Sequence, residues 1–385
     1  MKDLNQTKLV LLQRLVDITE LIIDFDTCSQ LDHMSSLCQH LAATGHDLHQ
    51  LRALTFIGGT NHKDETCFLA RMLLCCFTDL ISLTLRRCEI CPSRSSIARE
   101  FPRQLTRLHI TESNVTDACL STLADVSLPH LIDLSVRYGE ITSFGAKELC
   151  ARSDFRSLKY LSLCSNAIDG SIGNLGLDQA AFADSLCKLH LSDNRIACFS
   201  AFRVKARLPK LTHLCCDDNP LIERTANNWL RHLHSLSINV GWLSDSGFSS
   251  LARGLDGSST LQLLELGANM ATSSGVRELV SIKLPLLQSL NLYGNECSNA
   301  VREIGRALRY NFPELTFLDL TLCGIETFDD ALDEIEGCRS LLKLKKLLLD
   351  HNKMNGEERE IVSQELEKVS VSFAGCGREA EEEVE

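Results

Sequence analysis

The chain has 385 residues, with 39 Lys plus Arg against 51 Asp plus Glu, a formal net charge of -12 and 18 Cys. A hydrophobic content of 44% with 23% charged residues excludes wholesale disorder. The acidic balance argues against nucleic acid as a partner, because phosphate neutralisation needs a clustered Lys/Arg surplus, and no apolar run approaches the ~18 residues of a membrane span.

Taken in chain order, residues 1–47 carry apolar stripes at Leu4, Leu11 and Leu15 and again at Met34, Leu37 and Leu41. They read as an N-terminal helical cap, with Ile18-Leu21-Ile23 as a degenerate strand. Lys8, Gln13, Arg14 and Asp17 interrupt the first apolar stretch, which leaves no signal-peptide core. The cysteines are therefore expected to be reduced thiols of a cytoplasmic or nuclear protein. From residue 48 the pattern L-x-x-L-x-L, or a close apolar version, recurs twelve times. It opens at Leu51, Leu80, Leu105, Leu131, Leu158 and Leu186, then at Leu211, Leu233, Leu261, Leu287, Leu315 and Leu344, with spacings from 22 to 29 residues. Self-similarity at such a period marks stacked units that bury a face only against one another. An amphipathic helix over Glu357–Val369 is expected to close the array. Residues 370–385, with five Glu between Arg378 and Glu385, read as a disordered acidic tail.

Three positions after each motif stands a polar or small residue. It is Asn at 166, 194, 219, 269, 295 and 352, Cys at 88 and 323, Ser at 113, and Gly at 59, 139 and 241. A stacked Asn amide can both donate to and accept from buried turns, so the Gly positions are expected to be weaker. Helical spacing follows, as in Leu243-Gly247-Leu251-Leu255 and Ala300-Ile304-Leu308. Pro129, Pro209, Pro285 and Pro313 each precede a motif leucine by two residues, where Pro ends a helix and starts a strand at little cost.

From about residue 15 to 367 the chain resembles the leucine-rich-repeat family. Its long, helix-bearing repeats resemble the ribonuclease-inhibitor-like subclass, whose members include Ran GTPase-activating proteins. The resemblance implies an α/β fold: a horseshoe solenoid of about 12–13 repeats with a concave parallel sheet and convex helices. The solenoid is expected over 48–369.

No phosphate loop, nucleophile elbow, H-E-x-x-H or dinucleotide fingerprint occurs. Cys88-x-x-Cys91 is the one C-x-x-C, and Cys88 already occupies a ladder position. A cluster of His33, His40, His46, His49 and His62 with Cys28 and Cys38 matches no ligand spacing. The reading is therefore non-enzymatic, with no cofactor and no metal. Strand alternation instead directs attention to the concave face. Arg86, Arg107, His109, Arg137, Lys188 and His190 line it in the earlier repeats, with Asp133 the lone acid. Asp217, Glu265, Asp319 and Asp350 line it later, with Lys346 the exception, and Tyr160, Leu263, Tyr293 and Phe317 supply apolar anchors. The expected function is a monomeric interaction scaffold that binds a protein partner on this face. The alternative implied by the resemblance is a GTPase-activating regulator of a small Ran-like GTPase; the family's functional Arg and Asn loop positions find no residue-by-residue match here, and Arg87 and Arg137 are only candidates for the loop arginine.

Overall fold

The computed structural model describes residues 19–25, 50–58, 73–88, 101–123, 126–198, 208–221, 228–337 and 342–376, together with residues 39 and 70. Most of the expected cap, the whole His/Cys cluster, Cys91, Gly59 and the Glu run after residue 376 lie outside the described residues. The chain divides into two compact units, Met1–Asp169 with Asn174–His190 and Gly170–Gly173 with Leu191–Glu385.

In the first unit the described parallel strands are β1 (Glu20–Asp24), β2 (Ala53–Ile57), β3 (Ser82–Arg86), β4 (Arg107–Thr111), β5 (Asp133–Arg137), β6 (Tyr160–Ser162) and β7 (Lys188–His190). In the second they are β8 (His213–Cys215), β9 (Ser235–Ser237), β10 (Leu263–Glu265), β11 (Ser289–Asn291), β12 (Phe317–Asp319), β13 (Lys346–Leu348) and β14 (Ser370–Ser372). Within each unit, each strand pairs in parallel with the next at one register. Leu54, Leu83, Leu108, Leu134, Leu161 and Leu189 therefore align in the first unit, and Leu214, Leu236, Leu264, Leu290, Leu318 and Leu347 in the second. All three apolar positions of all twelve motifs are buried. Each side chain contributes roughly 1.5–3 kcal/mol, realised only once the neighbouring coil covers it. Of the degenerate Ile18-Leu21-Ile23 segment, Leu21 and Ile23 lie in β1, where Ile23 is buried and in register with Phe56 of β2, and Ile18 lies outside the described residues.

The ladder is built as its chemistry requires. Asn269 Nδ2 donates to the carbonyls of Ile238, Leu266 and Gly267, while its Oδ1 accepts from the N–H groups of Gly241 and Leu243. Asn295 and Asn352 repeat the arrangement. At Cys88 and Cys323 the thiols donate to carbonyls of their own and the preceding coil. Beside Gly139 and Gly241 the next coil's amide still serves the turn, since Asn166 Oδ1 accepts from Ile141 N–H and Asn269 Oδ1 from Gly241 N–H. The residue before each ladder position from Arg87 to His351 has φ between 52° and 66°. This left-handed turn costs about 1–2 kcal/mol for any residue but Gly. It is held because the turned N–H bonds the next coil, as Val240 N–H does to Gly267 O.

Helices follow several strands: α1 (Asp117–Leu123) and α2 (Ser143–Cys150) in the first unit, then α3 (Ser244–Leu255), α4 (Ser273–Val280), α5 (Val301–Tyr310), α6 (Asp329–Ile335) and α7 (Gly356–Glu365) in the second. Neighbouring helices are clamped by an acid in one first turn. Asp117 accepts from both N–H and Oγ1 of Thr142, and Asp245 does the same for Thr272, each Thr being the N-cap of its own helix. Buried Arg152 ties the turn after α1. It is paired with Asp154 at 2.7 Å, donates to the carbonyls of Leu123 and Val126, and lies 4.3 Å from the Phe155 ring centroid.

Two expectations are corrected. Helical spacing does not continue after β6, where a short strand at Asp169–Ser171 and a 3-10 turn at Ile172–Leu175 form instead in a segment carrying Gly170, Gly173 and Gly176. The closing helix α7 ends at Glu365, and residues 370–372, placed in the tail by the sequence, pair as β14 with β13. The chain turns there because Val369 N–H bonds Leu366 O, which leaves Val371 in register with Leu347.

Candidate functional site: the open sheet face of each unit

The first unit presents rows of side chains on the face opposite its leucines. Arg107, Asp133, Tyr160 and Lys188 form one row, and His109 and His190 lie in the next. Asp133 joins Arg107 (3.2 Å) to His109 (3.1 Å). Burial pushes its carboxyl up, but the bonds from His109 and Arg107 outweigh this and hold it below the ordinary aspartate range. Asp133 is not the lone acid. Glu112, at a left-handed turn just beyond β4, bonds Arg87 at 2.7 Å and Arg86 at 2.9 Å. The Arg87 bond is the largest influence on Glu112 and keeps it ionised below the usual glutamate range. Sequence alternation missed it because it follows the strand rather than lying within it.

Arg86 is thus half-buried in an ion pair, and among the described residues Arg137 and Lys188 are exposed cations without a carboxylate partner. The Arg137 guanidinium lies 5.5 Å from the Tyr138 ring centroid. Tyr160 meets His190 edge to face at 5.2 Å, and burial raises its phenol above its ordinary range. Of the two arginines considered for GTPase regulation, Arg87 is tied to Glu112, and Arg137 remains exposed.

In the second unit the corresponding face is acidic. Asp217 accepts from Ser237 Oγ and Asn239 N–H, both at 2.7 Å, and Asp350 accepts likewise from Ser372 Oγ and Ala374 N–H. These two carboxylates therefore also hold strand ends. Glu265 and Asp319 occupy one row, two strands apart. Burial raises the Glu265 carboxyl, and the nearby Asp217 and Asp319 charges add to the rise, against a bond from Asn291. Burial also pushes the Cys215 thiol up to about 11, so it stays protonated. Leu263 and Phe317 share a row with Ser289 between them. Both are half-buried rather than open, and Tyr293 is the more exposed of the three anchors. Lys346, the exception in charge, stands 5.7 Å from the Phe317 ring centroid.

No cluster with metal-ligand character occurs among the described residues. No protein-family model and no curated protein matches the chain. Solved structures do. A leucine-rich-repeat protein of Leptospira interrogans superposes with a TM-score of 0.51 at 18% identity, covering 95% of this chain and 98% of that one. The toll-like receptor TLR13, solved as a complex with ssRNA13, gives 0.54 at 20% identity over 85% of this chain and 44% of its own. The fold is the leucine-rich repeat. At these identities the likeness extends to the architecture alone.

Proposed function

We infer that this protein is a non-enzymatic interaction scaffold that binds a folded protein partner through the open sheet face. The observation that carries the reading is the pairing of exposed charge with aromatic anchors in each unit. In the first, exposed Lys188 stands beside Tyr160 and exposed Arg107 pairs with Asp133 in the same row, while Glu265 and Asp319 lie near Leu263, Phe317 and Tyr293 in the second. Exposed charge steers a partner and fixes its orientation, and partly desolvated aromatics supply the affinity.

The test is affinity capture from native lysate at low and high salt, comparing the wild-type chain with a Tyr293→Ala/Phe317→Ala double variant and with Arg137→Glu/Lys188→Glu. A partner lost at high salt and lost from either variant, while both variants keep the wild-type melting temperature, is the expected result. A partner held equally by all three proteins would remove the open face from the binding site.

A further inference from the structure

We propose that the second unit carries a second recognition element, at the strand-exit edge of its sheet, which takes a cationic protein segment presenting an aromatic or long aliphatic side chain. Val240, Trp242, Met270 and Leu322 form it, exposed to 40%, 59%, 71% and 49%, beside Tyr293 of the open face. The backbone spreads them over four successive coils. Val240 N–H bonds Gly267 O, Ala268 N–H bonds Tyr293 O, Gly294 N–H bonds Thr321 O, and Leu322 follows in the next coil. At about 4.8 Å per strand the row from Val240 to Leu322 runs on the order of 15 Å, the span of a short peptide segment.

The patch is not a by-product of the fold. The same turn positions in the first unit hold Arg87, Glu112, Tyr138 and Ser165, so the geometry does not demand apolar residues. Val240 and Trp242 both adopt φ near 54°, a conformation in which a β-branched or bulky residue is a genuine outlier. Gly267 clears space for the Tyr293 ring, since a Cβ there would stand 2.9 Å from Tyr293 Cδ1. Exposed apolar side chains of this size, gathered on one edge of successive coils, mark an interaction surface.

Charge complementarity selects the occupant. Asp217 and Asp218 flank the Val240 end, Asp350 lies in the coil beyond Leu322, and Glu265 and Asp319 lie in the sheet row alongside. Burial, and then Asp217 and Asp193, raise the Asp218 carboxyl, so these acids repel one another and a cation arriving among them relieves that repulsion. An acidic or phosphate-bearing ligand would meet the opposite. The proposal rests on the reading that the chain binds proteins, although it places this contact beside the open face rather than on Phe317.

The experiment selects a phage-displayed random dodecapeptide library on the immobilised full chain. The selected peptides are then titrated against wild type, Trp242→Ala/Met270→Ala, Asp218→Asn and Phe317→Ala. Expected are peptides with Lys or Arg flanking an aromatic or long aliphatic residue, weakened about tenfold or more by the Trp242/Met270 pair and more salt-tolerant but weaker in Asp218→Asn. No enrichment, enrichment of acidic peptides, or binding unchanged in the Trp242/Met270 variant overturns the proposal. Peptides lost only with Phe317→Ala overturn it too, while leaving the open-face reading intact. A concentration-dependent dimer in sedimentation that the Trp242/Met270 variant abolishes would assign the patch to a second copy of the chain and likewise overturn it. Trp242, Met270 and Asp218 are exposed and Phe317 is half-buried, and an unchanged melting temperature confirms that each variant is folded.

Discussion

At the scale of single residues, each ladder amide serves two coils. Asn269 serves its own coil and the coil before it, where the ladder position is Gly241. Its removal should therefore cost more than one hydrogen bond. Asn269→Ala leaves the carbonyls of Ile238, Leu266 and Gly267 and the N–H of Gly241 without this partner, and about 2–4 kcal/mol of stability should disappear in urea unfolding. The apparent repair of the gap, Gly241→Asn, should also destabilise the protein. A Cβ at that position would stand 2.8 Å from both Asn269 Oδ1 and Ile238 Cγ2, so restoring the repeat pattern collides with the group that replaced it. A Gly241→Asn variant as stable as wild type would show that Asn269 can rotate away and that the coils tolerate two amides.

At the scale of elements, the coil after β5 depends on one buried cation. Arg152 closes the end of α1 by donating to the carbonyls of Leu123 and Val126, and Asp154 neutralises it while accepting from Leu128 N–H. Arg152→Met keeps the bulk over Phe155 but strands those acceptors, and should cost about 2–4 kcal/mol. Burial pushes Asp154 up, yet Arg152 and Leu128 more than offset it and leave its pKa below the ordinary value. A depressed carboxyl contributes stability above its unfolded pKa and loses it as pH falls through the folded one. The deficit of Arg152→Met should thus be the same at pH 7 and pH 6 and shrink only under strongly acidic conditions, as followed by thermal melts across pH. Nothing in the sequence singles out Arg152, because its partners are carbonyls that only the folded turn brings within reach. The leucine strands were legible for the opposite reason: their partners are copies of themselves at a constant spacing. The row membership of Arg107, Tyr160, Lys188, Glu265 and Phe317 follows from period-two alternation alone. Glu112 and the Val240–Leu322 edge do not, since they stand on left-handed turns beyond the alternating segment.

At the scale of the whole chain, stability is a sum of coils and the interfaces between them. A lesion in one coil should consequently spread through its neighbours and fade with distance, rather than lower the protection of every strand equally. Leu264 is the place to test this. It is fully buried in β10, aligned with Leu236 on one side and Leu290 on the other. Leu264→Asp sets a carboxylate among apolar side chains that offer it no partner, a change of the kind that costs more than about 4 kcal/mol. Hydrogen exchange read by mass spectrometry should show protection lost first in β9, β10 and β11 and retained longest in β2 to β5 of the first unit. Uniform loss across all strands would mean that the array unfolds as a single cooperative block. Unchanged exchange at β10 would mean that Leu264 does not point inward, and with it the register that places Glu265 and Leu263 on the open face would fall.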